Sequence, residues 1–130
     1  MLPSGSRLHT SDEFSAVVRT GRRSASGSLV VHLLISPSGS SSGRGSRVGF
    51  VVSGKVGNAV VRHRVTRRLR VLVRALLAEW PPGTDVVVRA LPAAATAGST
   101  QLGRDLRVAA ASALRKARGS RPAVPVGGAG

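Results

Sequence analysis

The segment of residues 58–79 constrains the fold most, because its apolar side chains recur at helical spacing and its polar positions are mostly basic. At about 100° per residue, one side of a helix collects Val61, Val65, Leu69, Leu72 and Leu76. The other positions hold the bases Arg64, Arg67, Arg68, Arg70 and Arg74, with His63 among them and Arg62 at the border. The pattern predicts a helix that packs its aliphatic side on a core and presents a cationic array outward.

This array predicts a polyanionic partner. Arginines three and four positions apart on a helix repel one another, and residues 53–70 contain no acid to relieve them. The whole chain has 20 basic and 5 acidic residues, for a net charge of +15. A genome rich in G and C could explain arginine in place of lysine, but not the shortage of acids. Because solvated charged faces usually mix both signs, we interpret the array as a phosphate-binding surface.

The remaining pattern predicts an α+β fold, a small mixed sheet packed against helices in the order α-β-β-α-β-α. Thr10 and Glu13 form a capping box that starts a helix over 11–19, and Gly21 ends it. Strands are predicted at 28–35, at 47–53 (antiparallel to the first) and at 85–90, and a last helix at 100–118. We expect residues 1–9 to be irregular, residues 36–46 to form a flexible loop, residues 1–118 to form a single RNA-binding domain, and residues 119–130 to be a disordered tail.

Composition and spacing argue against protein-borne catalysis. The chain has no cysteine, which excludes disulfides and cysteine metal sites. No apolar run approaches the ~20 residues of a membrane span, and the N-terminus lacks a signal pattern, so we expect a cytoplasmic protein without a membrane partner. We expect no catalytic residue and no metal site in the protein, because neither the acids nor the histidines are spaced as a nuclease or ligand set; they are Asp12, Glu13, Glu79, Asp85, Asp105, His9, His32 and His63.

Residues 47–70, RVGFVVSGKVGNAVVRHRVTRRLR, resemble the protein subunit of bacterial ribonuclease P. That family has a strand ending in Ser-Lys-Lys, then Gly-Asn-Ala-Val, then Arg-Asn-Arg and further bases. The chain departs from this pattern at Gly54, which stands in place of a lysine, and at His63, which stands in place of the asparagine. The resemblance extends weakly to both flanks and covers most of residues 7–115.

The resemblance implies a ribonucleoprotein that removes the 5′ leader of precursor tRNA endonucleolytically. Its partners are a catalytic RNA subunit and precursor tRNA, its cofactor is Mg²⁺ bound chiefly by the RNA subunit and the substrate, and no protein partner is implied. It implies an RNA-binding set of Lys55, Asn58, Arg62, His63, Arg64, Arg67, Arg68 and Arg70. It also implies a leader cleft with Phe14, Val18 and His32, although Phe14 and His32 suit ordinary core positions equally well. Finally, it implies a left-handed strand–helix–strand crossover, whereas the general rule for such units predicts a right-handed one.

Two other functional classes share the basic charge and small size. One is a structural RNA-binding protein such as a ribosomal protein, and the other is a nonspecific nucleic-acid chaperone. The ordered motif at 53–70 favours the subunit of an RNA enzyme, because neither alternative requires that spacing.

Overall fold

The computed structural model describes residues 7–8, 10–35 and 45–119 and has the predicted α+β fold. The predictions for His9, for most of the loop at 36–46 and for residues 120–130 lie outside the described residues. The elements in chain order are α1 Ser11–Thr20, β1 Arg22–Ser26, β2 Leu29–Ile35, β3 Arg47–Val51, α2 Ala59–Leu77, β4 Thr84–Ala90, a 3₁₀ turn Pro92–Ala95 and α3 Ser99–Gly119.

The predicted capping box is confirmed at the start of α1. The Thr10 hydroxyl accepts a hydrogen bond from the Glu13 backbone N–H at 3.1 Å, and a Glu13 carboxylate oxygen accepts one from the Thr10 N–H at 3.0 Å. The two residues satisfy backbone donors that the first turn would otherwise leave without partners. The N-terminal start of α1 is therefore fixed by local sequence.

The strand order is β1-β2-β4-β3, so β3 runs antiparallel to β2, as predicted, but does not pair with it. The strand β4 lies between them, antiparallel to β2 and parallel to β3. Its residues Val86, Val87 and Val88 are all fully buried, as expected for a central strand that is covered on both faces. Because α2 joins the parallel neighbours β3 and β4, the strand–helix–strand crossover is present, and its left-handed sense stays a prediction.

A strand that the sequence analysis missed, β1, forms a hairpin with β2. Ser26 pairs with Leu29, which leaves Gly27 and Ser28 as a two-residue turn. Gly27 has φ +55°, a left-handed conformation that glycine adopts without steric cost. The hairpin adds one strand to the predicted element order.

The sheet separates two apolar clusters because neighbouring residues of a strand face opposite sides. On one face, Leu29, Val31 and Leu33 of β2 join α2, α3 and the buried Trp80 in the larger core. On the other face, Val17 of α1 packs with Leu8 and Val87. The sheet thus fixes α2 and α3 on one side and α1 on the other.

Candidate nucleic-acid interface

The start of α2 is built by a cap and a close glycine contact. The Asn58 side-chain oxygen accepts a hydrogen bond from the Val61 backbone N–H at 3.0 Å. A Cβ atom at Gly57 would lie 2.8 Å from the Val61 side chain, so a larger residue at position 57 would crowd Val61 in the first turn of the helix. The side-chain carbonyl oxygen of Asn58 therefore stabilises the helix. The predicted contact with RNA would be made by the side-chain NH2 group. Lys55 is exposed in the preceding turn.

The buried stripe of α2 differs slightly from the predicted one. Val65, Leu69 and Leu76 are buried as predicted, but Val73 is also fully buried, whereas Val61 and Leu72 are only partly covered. The core contact is therefore broader towards Val73 than the wheel suggests. Because this buried face is wide, several arginines lie on the flanks of the helix and not on its outer face.

The bases of α2 form three rows instead of one face. An exposed row, the crest, carries His63, Arg67 and Arg74. Arg62 and Arg70 are half-buried on the flank towards β3, where they line a groove of about 540 Å³ together with Val52, Ala59, His63, Thr66 and Arg67. We call this the α2–β3 groove. Because Arg67 lines both this groove and the one described next, it lies on the ridge between them.

Arg64 and Arg68 lie on the opposite flank and contact the connection before α3. The Arg64 Nη2 atom donates to the Ala95 carbonyl oxygen at 3.0 Å, and the Arg68 Nη1 atom donates to the Ala97 oxygen at 3.2 Å. They border a groove of about 420 Å³ that is lined by Arg64, Arg67, Arg68, Val71, Leu72 and Ser99. We call this the α2–α3 groove. The predicted RNA-binding bases within α2 thus line two grooves, whereas Lys55 is exposed ahead of the helix and lines neither.

Phe14 and Val18 are brought together in a third groove, between α1 and the sheet. A Cβ atom at Gly49 would overlap the Phe14 ring, so the ring lies directly on the backbone of β3. Val18 is 37% exposed beside it. This groove, the α1 cleft, has a volume of about 580 Å³ and is lined by Asp12, Phe14, Ser15, Val18, Arg19, Val51 and Arg89. Phe14 thus packs on the sheet and also lines the cleft, and its contact with the leader stays a prediction.

His32 is not among the side chains that line the α1 cleft. It is 6% exposed in β2, between Arg23 of β1 and Val87 of β4. Burial lowers the pKa of His32, and the nearby charges of Arg89 and Arg23 lower it further. Its buried Nδ1 atom has no hydrogen-bond partner among the described residues. The imidazole therefore lies within the sheet and does not line the cleft.

Arg47 was not predicted to matter, yet it joins the elements that frame the α1 cleft. Its guanidinium donates to both carboxylate oxygens of Asp85 on β4, at 3.0 and 2.9 Å, and to Glu13 on α1 at 2.8 Å. The hydrogen bonds to Asp85 raise the pKa of Arg47 most strongly. Burial lowers this pKa, but the negative charges of Asp85 and Glu13 raise it further. These bonds tie α1 to β3 and β4.

Arg19 and Arg89 are cationic cleft residues that sequence reasoning missed. Arg89 is the one charged residue within the run of valines at the end of β4, and this break in the apolar pattern was an available signal. Arg19 follows Val18 at the end of α1 and had no comparable signal.

Over the described residues, no three histidine, aspartate or glutamate side chains come together as a metal site, and no described helix is long and apolar enough to span a membrane.

The fold and the grooves define a class of protein. It is a small, strongly basic α+β protein whose central helix carries six arginines and one histidine and no acidic residue, a surface suited to a phosphate backbone. A family model described as Ribonuclease P matches residues 2–114. The chain therefore belongs to the ribonuclease P protein family.

Comparison with individual proteins agrees with this assignment. The chain is 50% identical over 116 residues to the ribonuclease P protein component of Kocuria rhizophila, covering 89% of this chain and 98% of that protein. It is 43% identical over 118 residues to the component of Corynebacterium diphtheriae, covering 89% and 99%. The fold matches the ribonuclease P protein of Staphylococcus aureus with a TM-score of 0.70 at 22% identity, covering 84% of this chain and 97% of that one. It also matches the protein of Thermotoga maritima in complex with 1-(4-fluorophenyl)-2-thiourea, with a TM-score of 0.67 at 23% identity, covering 78% and 94%.

Proposed function

We propose that this chain is the protein component of a cytoplasmic ribonuclease P, in which a single domain over residues 1–118 binds the catalytic RNA subunit. The observation that carries the proposal is α2, an acid-free helix with arginines on its crest and on both flanks. Like-charge repulsion along the helix is relieved when phosphates lie among the guanidinium groups. The residues proposed to contact the RNA subunit are Lys55, Asn58, Arg62, His63, Arg64, Arg67, Arg68 and Arg70.

The α1 cleft supports binding of the 5′ leader of precursor tRNA. Phe14 offers an aromatic ring on which a base can stack, and Val18 extends this apolar surface. Arg19 and Arg89, which line the same cleft, offer charge to the leader phosphates. We propose that His32 supports the cleft from within the sheet, where burial and the charges of Arg89 and Arg23 lower its pKa.

The reaction itself is proposed to belong to the RNA subunit. Three of the five acidic side chains are committed to structure, since Asp85 and Glu13 bind Arg47 and Asp105 binds Ser28, whereas Asp12 and Glu79 are exposed. They do not fit a Mg²⁺ site of the protein's own, since no cluster of metal-binding side chains exists among the described residues. We propose that Mg²⁺ is bound chiefly by the RNA subunit and the substrate, and that the protein positions the substrate by binding both RNAs.

Reconstitution tests this function. The protein is mixed with a bacterial ribonuclease P RNA and a 5′-labelled precursor tRNA at limiting Mg²⁺, and the release of the leader is followed on a gel. We expect faster endonucleolytic cleavage at the mature 5′ end than with the RNA alone. Equal cleavage with and without protein, over a range of Mg²⁺ concentrations, would contradict the proposal.

A matched pair of variants separates leader binding from general RNA binding. Val18→Glu places a negative charge in the α1 cleft, whereas Val108→Glu makes the same change at an exposed valine of α3 outside it. We expect the first variant alone to weaken the protein-dependent affinity for precursor tRNA, while both variants bind the RNA subunit as the wild type does. The same loss in both variants would argue against the cleft as the leader site.

A further inference from the structure

The α2–α3 groove has the composition of a nucleotide-binding site instead of a plain charged face. Three arginines, Arg64, Arg67 and Arg68, surround a surface formed by Val71 and Leu72, and none of the described side chains that line it is acidic. Val71 is 64% exposed and lines the groove together with these arginines. An apolar surface bordered by cations matches the two parts of a nucleotide, its base or ribose face and its phosphate.

The arginines of this groove are held in place without being neutralised. Arg64 and Arg68 each donate to a backbone carbonyl, at Ala95 and Ala97, and a carbonyl oxygen carries no formal charge. Each guanidinium therefore keeps its full charge and further N–H donors for a ligand. Because the side chains are already ordered by these bonds, less conformational entropy is lost when a phosphate binds.

A fourth guanidinium reaches the same helix–helix junction from α3. Gly103 is buried in the middle of α3, and a Cβ atom there would lie 3.2 Å from the Leu72 side chain and 3.6 Å from Nη1 of Arg107. The missing side chain lets the two helices approach closely and lets the Arg107 side chain lie beside Leu72. The only acid of α3, Asp105, is buried and hydrogen bonded to Ser28, so it does not offset this charge at the groove.

The shape of the groove favours an unpaired RNA segment over a duplex. In a duplex, the bases are stacked on one another and the surface offers phosphates, ribose hydroxyls and base edges. A concave surface lined by Val71 and Leu72 gains little from those groups. An unpaired nucleotide can place its apolar face on the two side chains while its phosphates contact the surrounding arginines.

We propose that the α2–α3 groove is a second RNA-binding site, which takes an unpaired segment of RNA and is separate from the α2–β3 groove. The inference rests on the proposed function, because that function supplies the RNA partner. In this arrangement Arg67, on the ridge, contacts both segments, and α2 lies between two strands of RNA.

The natural absence of cysteine allows the two grooves to be probed separately. Single variants Val71→Cys and His63→Cys each receive a photoactivatable cross-linker, and Val108→Cys serves as the exposed control outside both grooves. Each labelled protein is bound to a bacterial ribonuclease P RNA, with and without precursor tRNA, and the cross-linked nucleotides are mapped. We expect position 71 to mark unpaired nucleotides that differ from those marked by position 63.

A charge variant provides a quantitative readout. Glutamate has a higher helix propensity than valine, so Val71→Glu retains the helix while placing a negative charge among the arginines. We expect roughly tenfold weaker binding to the RNA for Val71→Glu, against about twofold or less for Val108→Glu at the same ionic strength. Arg107→Gln should in addition reduce the slope of log K against log salt by about 0.7, the value for one phosphate of a single strand.

The outcomes separate this inference from the function on which it rests. If wild-type protein fails to bind the RNA at all, both are wrong. If position 63 cross-links but position 71 does not exceed the Val108 control, the proposed function survives and the second site is refuted. Cross-links from position 71 to paired nucleotides, or to the same nucleotides as position 63, would also refute it.

Discussion

Asp105 supports the sharpest stability prediction, because its carboxylate is 3% exposed and is surrounded by hydrogen-bond donors. One oxygen accepts from the Ser28 backbone N–H at 3.0 Å and from the Ser28 hydroxyl at 2.6 Å, and the other accepts from the Gln101 amide at 2.9 Å. The carboxylate also lies against the turn, since a Cβ atom at Gly27 would lie 2.6 Å from it. Asp105 thus joins α3 to the β1–β2 hairpin.

The cost of removing this carboxylate follows from the donors it would leave. Hydrogen bonds to a charged group contribute about 1.5–3 kcal/mol each, and a buried donor without a partner costs about 1–3 kcal/mol. The Ser28 hydroxyl can rotate towards another acceptor, and the Gln101 side chain is exposed to solvent. Most of the loss in stability therefore comes from the buried Ser28 N–H, which loses its hydrogen bond to the Asp105 carboxylate. We expect Asp105→Ala to reduce the free energy of unfolding by roughly 3–5 kcal/mol, and Asp105→Asn, which keeps one acceptor, by about 2 kcal/mol.

Thermal and urea unfolding, followed by circular dichroism, measure this loss. A decrease of 3–5 kcal/mol corresponds to a melting temperature lower by roughly 10–20 °C for a domain of this size. Asp12→Ala is the matched control, since it removes an exposed aspartate from the first turn of α1 and should cost about 0.5 kcal/mol. Equal melting temperatures for Asp105→Ala and the control would refute the reasoning.

The pH dependence of the same variants gives a second check. Burial raises the pKa of Asp105, but the hydrogen bonds from Ser28 and Gln101 and the charge of Arg104 outweigh it and hold the pKa below its ordinary value. The folded state therefore binds this proton less readily than the unfolded state. The stabilisation is fully present above the unfolded pKa of about 3.9 and is lost as pH falls through the lower folded pKa. The difference between wild type and Asp105→Asn should shrink in acid.

Three further predictions concern the α1 cleft and its supports. Gly49→Val should displace the Phe14 ring from β3 and lower stability by about 1–2 kcal/mol in urea unfolding, whereas Gly54→Ala, with open space around it, should not. Because the pKa of His32 is lowered in the folded state, acidification from about pH 7.5 to about pH 5.5 (about one unit on either side of the ordinary value of ~6.5) should destabilise the wild type, and His32→Leu should abolish that part of the dependence. Arg47→Met should lower the free energy of unfolding by about 1–3 kcal/mol. In a double-mutant cycle with Glu13→Gln, the double variant should lose less stability than the sum of the two single variants, since the two side chains form a salt bridge at 2.8 Å.

The helices were predictable because their signals are local. The period of the valines and leucines located α2, and Asn58 and Thr10 marked helix starts through side-chain hydrogen bonds to residues three positions on. By contrast, β1 reads RRSAS, which has no apolar alternation, and only the Gly27-Ser28 turn signalled a hairpin. That turn signal was present in the sequence and was not used.

The sheet order and the division of the arginines depend on contacts between distant residues. The pairing of β3 with β4 instead of β2 follows from which strand is covered on both faces, and periodicity within a strand does not specify its neighbours. Arg64 and Arg68 find carbonyl partners about thirty residues away at Ala95 and Ala97, so a helical wheel cannot assign them to a separate groove. The salt-bridged Arg47 is likewise joined to residues 34 and 38 positions away.

The most direct test of the central proposal, that α2 presents its arginines to RNA phosphates, is the salt dependence of RNA binding. Arg67→Gln/Arg70→Gln removes two charges from α2, and Arg115→Gln/Arg118→Gln removes two exposed charges from the end of α3. With a bacterial ribonuclease P RNA, we expect the α2 pair to reduce the slope of log K against log salt by about 1.4–1.8, the value for two phosphate contacts, and the α3 pair to leave it unchanged. An equal reduction in both pairs, or none in the α2 pair, would contradict the account.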